Sequence, residues 1–242
     1  ERMFNQFGIP IDIFQSKAAK IIQMSGAEVI NTSNIYICGD FSSASFFILA
    51  ALITPNSELL LKNVGVNPTR IGFLHALKHM GANIELQNEI DSFEPTADIL
   101  VKTSNLQGIT LNTNLVANMI DEMPAFFIAA SLAEGTTKVK DAKELRTKES
   151  DRLQSMSEVL DSFGVKFQLK DDGIIINGLG KEGTFKASEI NSFGDHRIAM
   201  ASSIGSLRAD GESTIIDCLN VNTSFPNFVN VCNQVGIDIK QL

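Results

Sequence analysis

The sequence has few of the features that mark secreted, metal-binding or membrane proteins. It contains three cysteines, Cys38, Cys218 and Cys232. They form no spaced metal-binding motif and their number is odd, so we interpret them as reduced thiols of a cytoplasmic protein. The longest apolar run, FFILAALI, is far shorter than the roughly 18 residues that a membrane-spanning helix needs. A membrane protein is therefore not expected.

Positive charge is also scarce. The chain has 20 lysines and arginines against 28 aspartates and glutamates, which gives a net charge of −8 at pH 7. A general nucleic-acid-binding protein normally carries a basic face, so no nucleic-acid partner is expected. The hydrophobic fraction of 44% is enough for a packed core and argues against wholesale disorder. On such an acidic background, a local cluster of cations is informative.

The chain does contain a repeated unit. Three segments, 40–105, 106–180 and 181–242, share one plan: a helix rich in small residues, a short strand, a second amphipathic helix, a turn at a glycine, and another strand. The first helix of each segment (SASFFILAALI, PAFFIAASLA, RIAMASSIGSL) is apolar nearly all round, which predicts that it is buried. Residues 40–242 are therefore expected to form one α/β domain with pseudo-threefold symmetry, in which three small sheets surround three buried helices.

The turn glycines of the three segments are Gly81, Gly164 and Gly236. Gly8 has the same surroundings and looks like the turn of an earlier unit. Residues 1–39 are therefore expected to be the last segment of a second domain, and the chain a fragment of a longer protein.

Each buried helix starts with a short acidic or hydroxyl residue: Asp40 or Ser42, Asp121, and Ser192 or Asp195. Such residues are good helix N-caps, and capping alone would explain them. A carboxylate at the mouth of a buried helix is also well placed to accept a proton or to bind hydroxyl groups. His196 and Arg197 follow directly at the third helix, and a His-Arg pair at the entrance to an apolar helix needs partners. Pseudo-threefold symmetry would bring Asp121 and this pair to one rim.

The stretch KELRTKESDRL places three cations, Arg146, Lys148 and Arg152, around a predicted helix start at Thr147. A helix N-terminus is already a positive end and favours anions. One interpretation is a solvated helix with a Glu149–Arg152 pair at i, i+3 spacing. The other is a site for an anion that is not part of the protein, held by charge-assisted hydrogen bonds from arginine and lysine. Arg152 and Arg197 would then face one anion site.

Five stretches, GDFSSASFF, IDEMPA, LRTKESDRL, FGDHRIAM and NTSFPNF, in this order and spacing, closely resemble the 5-enolpyruvylshikimate-3-phosphate synthase family over nearly the whole chain. The resemblance implies a fold of two domains, each made of three βαβαββ units with buried helices and outer sheets, an inside-out α/β barrel. It also implies a reaction that joins phosphoenolpyruvate to the 5-hydroxyl of shikimate 3-phosphate and releases phosphate, on the way to chorismate and the aromatic amino acids. No metal or other cofactor is implied, and the full-length enzyme is expected to be a cytoplasmic monomer.

The resemblance also assigns roles to individual residues. Asp121 would accept the proton of the 5-hydroxyl, and Glu149 would protonate the methylene carbon of phosphoenolpyruvate. The substrate-binding residues implied are Asp121, Lys148, Arg152, His196 and Arg197. These roles are chemically coherent, because one group removes a proton, another delivers one, and cations hold the polyanions.

The chain departs from the family pattern in places. Thr223 stands where some members have lysine, and Glu144 where others have asparagine. The family's N-terminal Lys-Ser-Arg segment and its Ser-Ser-Gln phosphate site are absent, so the chain is expected to carry one wall of the active site. Two alternatives stay open: a UDP-N-acetylglucosamine enolpyruvyl transferase, which shares the fold and the donor, and a non-catalytic fragment.

Overall fold

Helices and strands alternate through most of the chain in a computed structural model that describes residues 1–16, 19–26, 29–32 and 34–241. The α-helices of this part are α1 (Arg2–Gln6), α2 (Phe41–Ile53), α3 (Gly72–His79), α4 (Met123–Ser131), α5 (Arg152–Ser162), α6 (His196–Gly205), α7 (Val221–Ser224) and α8 (Phe228–Gln234). The strands are β1 (Ile11–Gln15), β2 (Lys20–Met24), β3 (Glu58–Gly65), β4 (Asn83–Ile90), β5 (Thr96–Lys102), β6 (Thr136–Val139), β7 (Lys166–Lys170), β8 (Gly173–Asn177), β9 (Glu189–Asn191) and β10 (Thr214–Ile216). Short 3₁₀ turns cover Thr113–Leu115, Ala117–Met119, Lys143–Thr147 and Ser206–Arg208.

The core is formed by α2, α4 and α6, each of which contacts the other two. Every residue of α4 is buried, and so is every residue of α2 except Ser43. The small residues in these helices allow close approach, while their phenylalanines and isoleucines fill the space between them. The prediction of three buried helices is confirmed.

Small separate sheets lie around these helices. The first and second repeats each have a three-stranded antiparallel sheet, in the orders β3-β5-β4 and β6-β8-β7. Isolated parallel bridges add the chain before the core helix to each sheet, at Gly39 with Val64 and at Thr110 with Lys138. Both repeats therefore run β-α-β-α-β-β, and the expected α/β fold class is confirmed, with no closed sheet in the described part of the chain.

The third repeat has fewer strands than the other two among the described residues. β9 and β10 pair in parallel on either side of α6, and α7 and α8 follow. The sequence pattern predicts a further strand after Gly236, but 237–241 form no strand. That prediction was wrong, because no strand of the described residues pairs with this segment.

The second, amphipathic helix of each repeat is followed by the predicted glycine turn. Gly81, Gly164 and Gly236 follow α3, α5 and α8 with φ of +88°, +77° and +87°. This left-handed conformation is open to glycine at little cost, and it reverses the chain at the end of the helix.

Before α2, β1 and β2 pair antiparallel, and both strands are mostly exposed. Several of its apolar side chains face solvent, including Phe14, Ile21 and Ile22. Across the described residues, no helix is both long and apolar enough to cross a bilayer.

The starts of the three core helices lie at one end of the molecule. Ser42 at the start of α2 donates a hydrogen bond of 2.5 Å to Glu122, the residue before α4. Arg197 at the start of α6 donates to the backbone carbonyl of Asp121 at 3.3 Å. The prediction that these starts share one rim is confirmed, and the candidate site lies there.

Candidate active site

The carboxylate of Asp121 lies among three arginines, one from each repeat. Arg152 Nη1 is 3.3 Å from Oδ1, and Arg197 Nη2 is 3.6 Å from Oδ2. Arg70 Nη1, from the first repeat, is 3.8 Å from Oδ2. Asp121 is not a helix cap, since α4 begins after Glu122 and has no side-chain cap. The prediction that Arg152 and Arg197 converge is therefore confirmed, and Arg70 is an addition to it.

The charge of Asp121 is stabilised by these cations. Burial alone would raise the pKa of this carboxyl, but the attraction of Arg197, then Arg152, Lys148 and Arg70, outweighs it and holds the pKa below the usual range. Asp121 is therefore ionised at neutral pH and can accept a proton or a hydroxyl hydrogen bond.

Arg152 is the most deeply buried cation of the site, with a side chain only 1% exposed. Its Nε donates to Asp195 at 2.8 Å and its Nη2 to Glu149 at 2.6 Å, in addition to the contact with Asp121. The predicted pair with Glu149 at i, i+3 spacing is thus present, but as one side of a network of three carboxylates. Because arginine presents five N–H donors in a rigid fork, it can hold all three.

Asp195 connects this network to the start of α6. Its carboxylate accepts a bond of 2.9 Å from the backbone N–H of Arg197, which makes it the N-cap. It also accepts from Ser150 at 3.2 Å. Burial would raise the pKa of Asp195, but the hydrogen bond and charge of Arg152 lower it further than burial raises it.

The structure corrects the predicted helix start at Thr147. That residue ends a 3₁₀ turn, and its hydroxyl donates to the carbonyl of Glu144. The true N-cap is Asp151, which accepts from the backbone N–H of Gln154 at 3.0 Å. Asp151 is also held by Arg146 at 2.8 Å.

Three cations of KELRTKESDRL, Arg146, Lys148 and Arg152, have carboxylate partners within the chain. Lys148 Nζ contacts Glu144 at 2.6 Å, Arg146 contacts Asp151, and Arg152 bonds the network described above. Each of these three cations therefore has a carboxylate partner within the chain, and the site for an external anion stays a prediction. Lys148 remains part of the cluster, because its charge contributes to the lowered pKa of Asp121.

Glu122 is a second carboxyl beside Asp121, in a different environment. Its side chain is 1% exposed, accepts from Ser42, and lies 3.7 Å from Arg70 Nη2 and 3.9 Å from Arg197 Nη1. Burial raises its pKa, and the Ser42 hydrogen bond and the two arginines only partly counter this. Neighbouring carboxyls with pKa values shifted in opposite directions are a feature of many acid–base sites.

His196 and Arg197 line a cavity of about 240 Å³ between the starts of α2 and α6. Asp40, Ser42 and Phe225 are among its other walls. Burial, and then the charge of Arg197, lower the pKa of His196, so its imidazole is neutral at pH 7. Asp40 caps α2 by accepting from the backbone N–H of Ser43 at 2.7 Å, so the simple capping interpretation holds for Asp40.

The structure brings all the predicted site residues into this one cluster. It adds Arg70 and Glu122, which sequence reasoning did not select. Glu122 could have been suspected from its place next to Asp121 at the start of a buried helix, whereas nothing in the loop sequence NPTRIG marks Arg70. In the described residues, no group of three or more His, Cys, Asp or Glu side chains is arranged to hold a metal ion.

Comparison with known proteins agrees with this geometry. The family model for EPSP synthase (3-phosphoshikimate 1-carboxyvinyltransferase) matches residues 1–232. The chain belongs to the EPSP synthase family. Curated relatives named 3-phosphoshikimate 1-carboxyvinyltransferase from Hydrogenovibrio crunogenus and Legionella pneumophila are each 44% identical to it, over 99% and 100% of the chain. The chain spans about half the length of these relatives, 54% in both cases.

Solved structures give the same assignment. An EPSP synthase from Acinetobacter baumannii aligns with a TM-score of 0.92 and 42% identity, over 99% of this chain and 54% of that one. The enolpyruvyl transferase NikO from Streptomyces tendae aligns with a TM-score of 0.71 at 15% identity, over 98% of this chain and 52% of that one. The second likeness concerns the fold alone. The family predicted from the sequence motifs is confirmed, and the candidate site lies at the core-helix starts of this fold.

Proposed function

We propose that the complete protein to which this chain belongs transfers the enolpyruvyl group of phosphoenolpyruvate to the 5-hydroxyl of shikimate 3-phosphate, with release of phosphate. Membership of the EPSP synthase family supports the reaction class. The observation that carries the proposal is the ionised Asp121 carboxylate among arginines from all three repeats. A base and cations in one place are what addition of a hydroxyl to an anionic enol ether requires.

In this proposal each residue has a defined task. Asp121 accepts the proton of the attacking 5-hydroxyl, and Glu149, half exposed and tied to Arg152, delivers a proton to the methylene carbon. Arg197 and Lys148 bind the carboxylate and phosphate of phosphoenolpyruvate. Arg152 assists them with the edge of its guanidinium that faces Asp121, while its other edge stays bound to Asp195. His196, neutral and beside Arg197, completes the wall of the cavity.

The paired cations suggest how binding begins. Glu144 is largely exposed, and its contact with Lys148 is the outermost ion pair of the site. Exposed ion pairs contribute only about 0–1 kcal/mol, so a phosphate can displace Glu144 at little cost. The buried bonds of Arg152 would resist displacement far more strongly.

The domain boundaries, location and partners expected from the sequence belong to the same proposal. Residues 40–242 would be the main domain, with repeats at about 40–105, 106–180 and 181–242, and 1–39 would be the end of a second domain that supplies the opposite wall. The complete enzyme would act as a cytoplasmic monomer, with no nucleic-acid or membrane partner. The net charge of −8 supports the absence of a nucleic-acid partner.

The test is turnover of the complete protein with shikimate 3-phosphate and phosphoenolpyruvate, measured as phosphate release. Asp121→Ala should lower kcat by the roughly 10²–10⁴-fold typical of a lost general base. Asp161→Ala, on the exposed face of α5, is the matched control and should leave kcat unchanged. Acceptance of a UDP-sugar in place of shikimate 3-phosphate, or near-normal turnover of Asp121→Ala, would contradict the proposal.

A further inference from the structure

Arg70 is the most exposed of the three arginines around Asp121, with a side chain 45% exposed against 16% for Arg197 and 1% for Arg152. Its Nη2 donates a hydrogen bond of 2.8 Å to Ser42 Oγ. Within the described residues this is the only hydrogen bond that Arg70 donates from its side chain, although a guanidinium has five N–H groups. Arg70 thus faces Asp121 with most of its donors uncommitted.

The two oxygens of Asp121 have different surroundings. Oδ1 accepts from the buried Arg152 at 3.3 Å, whereas Oδ2 lies 3.6 Å from Arg197 and 3.8 Å from Arg70, beyond hydrogen-bond distance. Oδ2 is therefore the oxygen that keeps its lone pairs free for a proton. Two cations at similar distances attract this oxygen with similar strength, so the carboxylate is not committed to a direct ion pair with either one.

We propose that Arg70 is a positioning residue for Asp121: it balances Arg197 from another repeat and so keeps the free carboxylate oxygen directed at the substrate hydroxyl. The inference rests on the proposed function, in which Asp121 is the base. Without Arg70, the attraction of Arg197 on Oδ2 is unopposed. The carboxylate then turns toward Arg197 and forms a direct ion pair that competes with proton abstraction.

The competing explanation is that Arg70 serves only as a counter-ion for the buried Glu122. Distance alone does not separate the two explanations, since Arg70 Nη2 lies 3.7 Å from Glu122 and Arg70 Nη1 lies 3.8 Å from Asp121. Glu122 also has a closer partner in the hydroxyl of Ser42, at 2.5 Å. Ser42 accepts from Arg70 and therefore gives its own proton to Glu122. The two roles predict different behaviour of a double variant.

The experiment compares Arg70→Gln, Glu122→Gln and the double variant in the complete enzyme, with kcat, both KM values and the melting temperature measured for each. Arg70→Gln should lower kcat at least 10-fold and also lower the melting temperature, because Glu122 loses a cation. The double variant should regain the melting temperature of Glu122→Gln while its kcat stays at least 10-fold below that of Glu122→Gln. Both KM values should change less than kcat, since small misplacements of a reacting group act mainly on turnover.

Two further variants sharpen the comparison. Arg70→Lys keeps the charge near Asp121 without the planar fork, so it should recover part of the lost kcat. Lys102→Gln removes a cation of similar exposure, 42%, from an ion pair with Glu58 outside the site, and should leave kcat unchanged.

The outcomes separate the two proposals. A double variant whose kcat returns to within 2-fold of Glu122→Gln would make Arg70 a counter-ion only and overturn the inference, as would a fully active Arg70→Gln. In both cases the wild-type enzyme is active and the proposed function stands. A wild-type protein with no turnover would overturn the proposed function and this inference with it.

Discussion

Removal of the Arg152 guanidinium should cost more stability than any other single change at the site. Asp195 is completely buried and takes its charged partner from Arg152, at 2.8 Å. Loss of one partner from a buried ion pair typically costs about 3–5 kcal/mol, because the other charge remains buried and unpaired. For Arg152→Met we expect the free energy of unfolding to fall by an amount in this range, because the apolar side chain forms no hydrogen bonds in place of those lost.

The assay is thermal and urea unfolding of the complete enzyme at pH 7. For a domain of this size, about 3–5 kcal/mol corresponds to a drop of roughly 6–20 °C in melting temperature. Arg152→Met with Asp195→Asn should recover part of the loss, since the buried charge is then removed. Lys102→Met, which breaks the exposed pair with Glu58, should cost only about 0–1 kcal/mol. Equal effects of Arg152→Met and Lys102→Met would refute the reasoning that the Arg152 network is a buried structural tie.

Three other predictions concern substrate affinity, pH and thiol reactivity. Arg197→Lys should weaken phosphoenolpyruvate at least 10-fold and shikimate 3-phosphate much less, because lysine lacks the fork that grips a carboxylate; an unchanged KM for phosphoenolpyruvate would contradict it. The pKa of Asp195 is lowered in the folded state, since Arg152 outweighs its burial, so its stabilising effect is present above the unfolded value of about 3.9 and is lost as the pH falls through the folded pKa. Between pH 3 and 5, the free energy of urea unfolding should fall less with decreasing pH in Asp195→Asn than in the wild-type protein. Identical pH profiles would contradict this prediction. Burial raises the pKa of Cys232 to about 12, so alkylation at pH 8 followed by mass spectrometry should leave it unmodified until the protein unfolds.

The repeat pattern made much of the architecture predictable. The all-round apolar helices could only be buried, and the glycine turns followed from the ends of the amphipathic helices. Equivalent helix starts lie at one end in a pseudo-symmetric domain, so the repeat pattern alone was enough to place Asp121 and Arg197 together. The strand predicted after Gly236 in the third repeat was wrong, because the apolar alternation there is too short to distinguish a strand from irregular extended chain.

The site was predictable in its members but not in its charge balance. Sequence spacing showed the cations of KELRTKESDRL, but it could not show that Glu144 and Asp151 lie within bonding distance of two of them. The helix start illustrates the same limit. Thr147 and Asp151 are both acceptable caps, and the sequence alone does not show that Asp151 accepts the capping bond from Gln154.

The place of Arg70 in the site could not be predicted from the sequence, for a different reason. It belongs to a loop, where no periodicity indicates which way a side chain points. Its approach to Asp121 depends on contacts between repeats that are distant in sequence. A loop residue of this kind becomes visible only when the packing of the repeats is known.

The origin of the three arginines in three different repeats has a consequence for folding. A nascent or partly folded chain in which one repeat has not docked lacks a wall of the anion site, even if the other two are fully formed. Contacts between residues so distant in sequence form late and slow the folding of a domain. A ligand that requires the assembled site can therefore bind only the completely docked state, and it stabilises that state over every partial one according to its concentration relative to its Kd. The substrates of such an enzyme would also act as selective stabilisers of its finished fold.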